Sequence, residues 1–306
     1  MIRGGERPAA YRRSPRGATA LSSTSTDPSF QASQVTRSVV SPQEREFYFR
    51  EGYLTIDPGL PPGVVDGVIA DLDGKYPDPL NGAGVQPPTR IQDAWTISHN
   101  VRTIAVAPRV MQILRELYGR EPLPFQTLNF PVGTLQKAHS DVVHFSTCPP
   151  SFMCGVWTAL EDVDEMNGAV RYYPRSHRLP EYGPTDVGVP PGDEGYAEYE
   201  KYIARVIRDF GLVGQIASLK KGQAFVWATN LIHEGSERKD LFRTRHSQVT
   251  HVYFEGCRYW TPLYSKGTDV CWREPAFIPK DLSVRLENSG TPFLQRQELY
   301  GQRKST

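Results

Sequence analysis

Hydrophobic residues recur with helical spacing in the first third of the chain and in short strand-like runs after it. Apolar positions fall three and four residues apart over 64–72 and 107–117, which predicts two amphipathic helices, the second ending at Gly119. Further along, short runs rich in β-branched and aromatic residues are separated by Gly, Pro and Asn turn signals. The strands predicted in this way are 125–130, 152–160, 169–173, 215–219, 223–227 and 245–254. Short strands at this spacing predict a barrel or sandwich with helices packed outside.

The polar pattern at the start of the chain predicts where order begins. Residues 1–40 are rich in Arg, Ser, Thr and Gly and poor in apolar residues, so we predict a disordered tail, although a transit peptide would have a similar composition. Ser41, Pro42 and Glu44 then form the signature of a capping box, which predicts the first helix. A short strand is expected over 53–56.

One folded domain is predicted over 41–306, with three parts. We expect a helical N-terminal support over 41–120, a strand-rich core over 121–260 and a C-terminal extension over 261–306. A polar, acidic insertion at about 180–212 interrupts the core and is predicted to form a lid over the site.

Composition and charge exclude several classes of partner. Among 306 residues, 35 Lys and Arg balance 34 Asp and Glu, so no basic field indicates a nucleic acid. No apolar run is long enough to span a bilayer, and the 4 cysteines lack the C-x-x-C spacing of metal sites. In a chain this long they are typical of free thiols in a reducing cytoplasm. We therefore expect a cytoplasmic protein with a small-molecule substrate and neither nucleic acid nor membrane as partner. The sequence leaves the oligomeric state open.

A histidine and a carboxylate stand two residues apart in the middle of the chain. If the segment is extended, His139 and Asp141 point to the same face and can bind one metal ion. Alone this pair is weak, because H-x-D also arises by chance. His233 follows a strong predicted strand and can supply a third ligand from the opposite side of a barrel. Two His and one carboxylate leave positions open for a co-substrate and O₂, as in non-haem iron(II) oxygenases, whereas structural zinc sites are closed.

The last predicted strand begins with an arginine. Arg245 and Ser247 share one face, and a guanidinium there can hold the distal carboxylate of 2-oxoglutarate. The alternative is a strand-end Arg in a surface salt bridge. In the strand before the metal pair, Gln126 and Asn129 carry amides that can bind the C1 carboxylate or keto group of 2-oxoglutarate, or else satisfy strand neighbours.

Residues 125–254 resemble the phytanoyl-CoA dioxygenase family of iron(II)- and 2-oxoglutarate-dependent oxygenases. In that family a turn reads P-G-S-H, and here Arg175 takes the place of the Gly. The resemblance rests on ordered blocks: His139-Ser140-Asp141, residues 153–162, residues 167–170 leading to Pro174-Arg175-Ser176-His177, His233, and the Arg-bearing strand.

The resemblance implies a mainly β fold with flanking helices, built on a double-stranded β-helix (jelly-roll, cupin-like) core. It implies iron ligands at His139, Asp141 and His233, with iron(II) as cofactor and 2-oxoglutarate and O₂ as co-substrates. The family's Arg follows the distal His by ten or eleven residues, whereas Arg245 follows His233 by 12 and Arg243 by 10. Arg245 is preferred because the family's Arg often precedes a His by six residues, as here; Arg243 remains the alternative.

The activity predicted from these residues is that of a 2-oxoglutarate-dependent dioxygenase. We expect it to hydroxylate or oxidatively cyclise a small polar molecule, such as a sugar- or aminocyclitol-containing natural product in antibiotic biosynthesis, because the insertion is acidic. His144, Trp157 and Trp227 are predicted to line the substrate pocket, with surface or core positions as the alternative. The rival functions are a non-redox cupin-like isomerase or hydrolase, an acyl-CoA hydroxylase of the same family, and a non-catalytic binding protein.

Overall fold

The computed structural model describes residues 38–76 and 90–284. The predicted tail up to residue 37 and the last part of the predicted C-terminal extension, from residue 285, lie outside the described residues. The division of the chain into support, core and extension stays a prediction.

The first helix, α1 (Pro42–Glu51), begins where the capping box predicts it. The Ser41 hydroxyl accepts the backbone N–H of Glu44 at 3.2 Å, and the Glu44 carboxylate accepts that of Ser41 at 2.8 Å. Gly52 ends the helix with a φ of 87°, a left-handed conformation that glycine adopts without steric cost. The local pattern therefore determines both ends of this helix.

Further helices cover the outer side of the sheet. The predicted helices are confirmed as α2 (Val64–Leu72) and α4 (Pro108–Tyr118), while α3 (His99–Ala105) lies between them and was not predicted. The apolar faces of α1 and α4 pack against one end of the central strands, and those of α2 and α3 against the other. This packing buries the outer face of the sheet and leaves its inner face for the site.

Each predicted strand corresponds to a strand of the structure, and shorter ones were missed. The missed strands are two or three residues long and carry little periodicity. Val170–Tyr172 and Gln215–Ile216 are equally short, but they lie within longer runs that were predicted as strands. The strands are β1 (Tyr53–Ile56), β2 (Ile91–Gln92), β3 (Pro122–Phe130), β4 (Ser146–Cys148), β5 (Met153–Ala159), β6 (Val170–Tyr172), β7 (Gln215–Ile216), β8 (Ala224–Ala228), β9 (His233–Gly235), β10 (Ser247–Phe254), β11 (Arg258–Trp260) and β12 (Trp272–Arg273).

The strands form one large and two small sheets. The large sheet has the antiparallel order β1-β8-β5-β10-β3-β2, and the small sheets are β7-β6-β9 and β12-β11-β4. A cluster of buried side chains that includes Trp157, Phe225 and Leu231 joins the large sheet to the β7-β6-β9 sheet. The architecture is therefore mainly β with flanking helices, as predicted.

The predicted insertion contains two helices, α5 (Pro184–Val187) and α6 (Asp193–Asp209). The buried face of α6, with Tyr199, Ile203 and Val206, packs against residues from the segments that flank His139 and His233. The insertion is thus anchored beside the predicted metal ligands.

Among the described residues, no helix combines the length and apolar character needed to cross a bilayer. The four cysteines are all free thiols.

Candidate metal centre

Backbone pairing brings the two predicted histidine ligands together. His139 and His233 form an isolated antiparallel bridge, in which the N–H of each donates to the carbonyl of the other at 3.0 and 2.9 Å. Their rings lie 4.5 Å apart between centroids. Asp141 follows at the start of a short 3₁₀ turn, and one ligand atom from each of the three residues lies within 4.8 Å of the others. The three residues are buried, so they form a compact set of donors.

Hydrogen bonds aim the donor atoms of this cluster at one point. Nδ1 of His139 lies 2.8 Å from the Lys137 carbonyl, and Nδ1 of His233 lies 3.0 Å from the Leu231 carbonyl. Each Nδ1 therefore carries the proton it donates, which leaves Nε2 as the ligand atom. Both Nε2 atoms lie 3.9 Å from Oδ1 of Asp141. This donor set fits the two-histidine, one-carboxylate site of non-haem iron(II) enzymes.

The protonation states of His139 and Asp141 suit metal binding. Burial, followed by the charge of His233, lowers the pKa of His139 to about 3, so its imidazole is neutral at physiological pH. Burial alone would raise the pKa of Asp141, but the charges of His233, His251 and His139 and the Trp227 N–H together hold it below its ordinary value. Neutral imidazoles and an ionised carboxylate are the forms that coordinate a cation.

The cluster opens into a cavity of about 310 Å³. Alternate residues of β3 and β10 point into it, because strand side chains on one face recur every second position. The predicted residues that line it are Gln126, His144, Trp157, Trp227 and Arg245.

Arg245 lies fully buried at the wall of this cavity. Its guanidinium donates to the Ser247 hydroxyl at 3.2 Å and to the Val132 carbonyl at 3.3 Å, and its Nε has no partner among the described residues. Burial lowers its pKa to about 10, so the group is still charged at neutral pH. A buried cation that lacks a contacting carboxylate is stabilised by an anionic ligand, and the orphaned donor fits the carboxylate of 2-oxoglutarate.

The structure distinguishes between Arg245 and Arg243, the two candidates for the arginine that binds the co-substrate. Nη1 of Arg243 contacts both carboxylate oxygens of Asp164, at 3.0 and 2.9 Å, in a half-exposed ion pair. Arg243 does not line the cavity. The geometry therefore favours Arg245 as the anion-binding arginine.

Two further predicted residues do not reach the cavity. The Asn129 side chain lies on the opposite face of β3 and donates to the Gln248 amide oxygen at 3.3 Å, so the expectation that it contacts the co-substrate is corrected. Position 129 is an odd number of residues from 126, and one strand cannot turn both side chains inward. Ser247 contacts the Arg245 guanidinium instead of lining the cavity. Its hydroxyl orients the arginine.

Other residues of the site were not predicted from the sequence. The His251 Nε2 lies 3.8 Å from Oδ2 of Asp141, and its Nδ1 lies 2.8 Å from the Gln126 amide oxygen. His251 is the histidine six residues after Arg245, and that spacing was the signal that the sequence offered. Arg90 and Arg273 also line the cavity, and no local pattern marked either of them.

Comparison with known proteins identifies similar sequences and folds. Residues 48–243 match the family model of phytanoyl-CoA dioxygenase (PhyH). A curated protein of Caenorhabditis elegans, described as a probable phytanoyl-CoA dioxygenase, is 23% identical over 255 residues, which cover 72% of this chain and 78% of that protein.

Solved structures of low sequence identity share the fold. The non-heme alpha ketoglutarate dependent carbocyclase SnoK from nogalamycin biosynthesis is 20% identical with a TM-score of 0.58, covering 72% of this chain and 87% of that one. EctD from S. alaskensis, solved with 2-oxoglutarate and 5-hydroxyectoine, is 19% identical with a TM-score of 0.57, covering 85% and 92%. The predicted double-stranded β-helix fold is confirmed.

Proposed function

The chain belongs to the phytanoyl-CoA dioxygenase family, and we propose that it binds iron(II) through His139, Asp141 and His233 and 2-oxoglutarate through Arg245. It is accordingly an iron(II)- and 2-oxoglutarate-dependent oxygenase. The observation that supports the residue assignment is the convergence of three buried ligand atoms within 4.8 Å beside a buried guanidinium in one cavity.

The residues that line the cavity have different roles in the proposed reaction. Bound iron(II) supplies the redox chemistry, in which O₂ and 2-oxoglutarate give succinate, CO₂ and an oxidised substrate. Asp141 contributes the negative charge that partly neutralises the cation. Arg245 orients the co-substrate by its distal carboxylate, and the rings of Trp157 and Phe130, 5.4 and 5.6 Å from its guanidinium carbon, keep water from that contact.

The proposed substrate is a small polar molecule that is hydroxylated or oxidatively cyclised. The cavity of about 310 Å³ is at the small end of ligand sites. SnoK and the epimerase SnoN belong to nogalamycin biosynthesis, and EctD was solved with 5-hydroxyectoine. The cavity size and these neighbours favour a small polar natural product, such as one that contains a sugar or an aminocyclitol, over an acyl-CoA. We propose a cytoplasmic location, with neither nucleic acid nor membrane as partner.

Anaerobic titration tests the metal site. We expect wild-type protein with iron(II) and 2-oxoglutarate to develop the weak visible charge-transfer band of a bidentate chelate. The Asp141→Ala variant loses a buried ligand and should show no band and no succinate formation. If wild-type protein forms no band, or if Asp141→Ala still produces succinate, the assignment is wrong. Activity without O₂ or 2-oxoglutarate would support the non-redox alternative.

The two arginines provide a matched test of the co-substrate site. In Arg245→Gln we expect the 2-oxoglutarate concentration at half-maximal band intensity to rise about 10- to 100-fold, because a charge-assisted contact to the carboxylate is lost. Arg243→Gln removes the same charge at the surface. In this variant the 2-oxoglutarate concentration at half-maximal band intensity should stay unchanged. The opposite ranking of the two variants would assign co-substrate binding to Arg243.

A further inference from the structure

Ser140 lies between two of the proposed metal ligands and points away from them. Its backbone is extended, with a φ of −119° and a ψ of 143°, so its side chain faces the side opposite to those of His139 and Asp141. Ser140 does not line the cavity, and only 2% of its surface is exposed. A buried hydroxyl needs hydrogen-bond partners, and those partners then determine how the segment is held.

Asn230 holds Ser140 through its side-chain amide. The Ser140 hydroxyl donates to Oδ1 of Asn230 at 3.0 Å, and both residues are buried. On the other side of the amide, Nδ2 donates to the carbonyl of Leu179 at 2.8 Å and to that of His177 at 3.4 Å. Because Nδ2 has two carbonyls as acceptors, the orientation of the amide is fixed and Oδ1 faces Ser140.

The same contact joins the two segments that carry the proposed ligands. Asn230 lies three residues before His233, and the carbonyl of the next residue, Leu231, accepts the Nδ1 proton of His233 at 3.0 Å. The backbone of His233 is paired with that of His139. The hydrogen bond between Ser140 and Asn230 is therefore a second link between the two segments. Unlike the backbone pairing, it depends on the identity of the side chains.

The insertion also contacts Ser140 directly. The hydroxyl of Tyr199 in α6 accepts the backbone N–H of Ser140 at 3.4 Å, and the Tyr199 side chain is fully buried. Residues that flank the ligand pair pack with α6 in one apolar cluster around this contact. Leu179, which anchors the amide of Asn230, directly precedes the insertion. Both of these contacts of Ser140 therefore lead to the insertion.

We propose that Ser140 is a positioning residue of the metal centre, held in place by Tyr199 of the insertion and by Asn230. This inference rests on the proposed function, because it assumes that the proposed ligands bind a metal. Ser140 points away from the ligand atoms and acts through the residues on either side of it. Its contacts fix the directions of their side chains, so less conformational entropy is lost when a cation binds. The insertion is then part of the metal centre as well as a neighbour of the cavity.

Anaerobic titration with Co(II), followed by visible absorption and by competition with a chelator, tests this proposal. In Ser140→Ala we expect the dissociation constant of Co(II) to rise about 10-fold, since the buried amide oxygen loses its partner and the ligand segment is less ordered. Tyr199→Phe removes only a hydroxyl, and we expect a rise of about 3-fold because that contact is longer. The thermal unfolding midpoint without metal shows whether each variant folds.

A double-mutant cycle distinguishes positioning through one hydrogen bond from general destabilisation. Asn230→Leu removes the acceptor of the Ser140 hydroxyl, so we expect the double variant Ser140→Ala/Asn230→Leu to bind Co(II) no more weakly than Asn230→Leu alone. Ser98→Ala is the control. The Ser98 hydroxyl is also buried and donates to Asp71 at 2.6 Å, but it lies at the start of α3, outside the cavity lining. This variant should lower stability and keep the wild-type affinity for Co(II).

Three results would overturn this inference and leave the proposed function intact. The first is wild-type Co(II) affinity in Ser140→Ala and Tyr199→Phe, which decide the matter even if Asn230→Leu does not fold. The second is a loss of affinity in Ser98→Ala as large as that in Ser140→Ala, since general stability would then determine metal binding. The third is additive losses in the double variant. If the wild-type protein binds no Co(II), the proposed function and this inference both fail.

Discussion

At the residue scale, the orientation of Asp141 depends on Trp227. The indole Nε1–H donates to Oδ2 of Asp141 at 2.7 Å, so Oδ1 is the oxygen that faces the two histidines. Trp227 in β8 pairs with Gly155 in β5, where a Cβ atom would lie 2.2 Å from the indole. Glycine at 155 therefore leaves the space in which the indole reaches the carboxylate.

Replacing this tryptophan should weaken metal binding without removing a ligand. We expect Trp227→Phe to lower iron(II) affinity about 10- to 100-fold, the usual effect of losing a hydrogen bond to a ligating carboxylate. The affinity is measured by anaerobic titration with iron(II) or Co(II). Trp157→Phe is the matched control, because Trp157 lines the same cavity but its Nε1 has no partner within the described residues. Equal losses in the two variants would show that the hydrogen bond does not support the metal site.

At the element scale, one ion pair joins the end of α1 to the turn after β6. Arg175 occupies the position where the family usually has glycine, with a φ of 69° that disfavours a side chain. Its backbone N–H donates to the Glu51 carbonyl at 2.9 Å, and its guanidinium contacts both carboxylate oxygens of Glu51 at 3.0 Å. These contacts account for a strained backbone at a non-glycine residue.

The ion pair predicts a pH dependence of stability. Hydrogen bonds from Arg175 and then Arg50 lower the pKa of Glu51 from its ordinary value of 4.5 to about 2. A depressed carboxylate pKa stabilises the folded state above pH 4.5, and this contribution is lost as the pH falls towards 2. We therefore expect the difference in unfolding free energy between wild type and Glu51→Gln, measured in urea, to shrink as the pH is lowered through that range.

A neighbouring glutamate in the same helix provides the control. Glu46 forms an exposed pair with Arg50, with 75% of its side chain accessible, so Glu46→Gln should change stability little at any pH. If the gap between wild type and Glu51→Gln stays constant down to pH 3, the ion pair does not contribute as proposed.

At the scale of the whole molecule, the metal ligands join distant parts of the chain. His139 and Asp141 lie between β3 and β4, whereas His233 begins β9 in the small sheet with β6. A metal ion bound to all three therefore links segments that separate when the protein unfolds. Because the unfolded chain holds no such site, binding stabilises the folded state.

Metal should accordingly raise the thermal unfolding midpoint. At a free Co(II) concentration 100 times the dissociation constant, the gain is about 2.7 kcal/mol. We expect an upward shift in wild type and none in His139→Ala, measured anaerobically by calorimetry. His144→Ala, which changes a cavity residue outside the cluster, should keep the shift. A full shift in His139→Ala would place the stabilising metal elsewhere.

The sequence determined the features that depend on neighbouring residues. The capping box at Ser41, the helix stop at Gly119 and the longer strands follow from local spacing, and the structure has them at the predicted places. The two-residue spacing of His139 and Asp141 is also local. It predicted that both side chains point to the same face, because alternate residues of an extended segment share a face.

Tertiary structure decided what depends on pairing between distant segments. The alternation of side chains along a strand shows that Gln126 and Asn129 cannot share a face. Only the packing of β3 shows that Gln126 is the one that faces the cavity. Arg90 directly precedes β2 and Arg273 lies in β12, two-residue strands that owe their conformation to β3 and β11, so no local periodicity could mark either arginine. Both line one cavity because the sheets bring together residues that are distant in sequence, and that arrangement is a property of the fold.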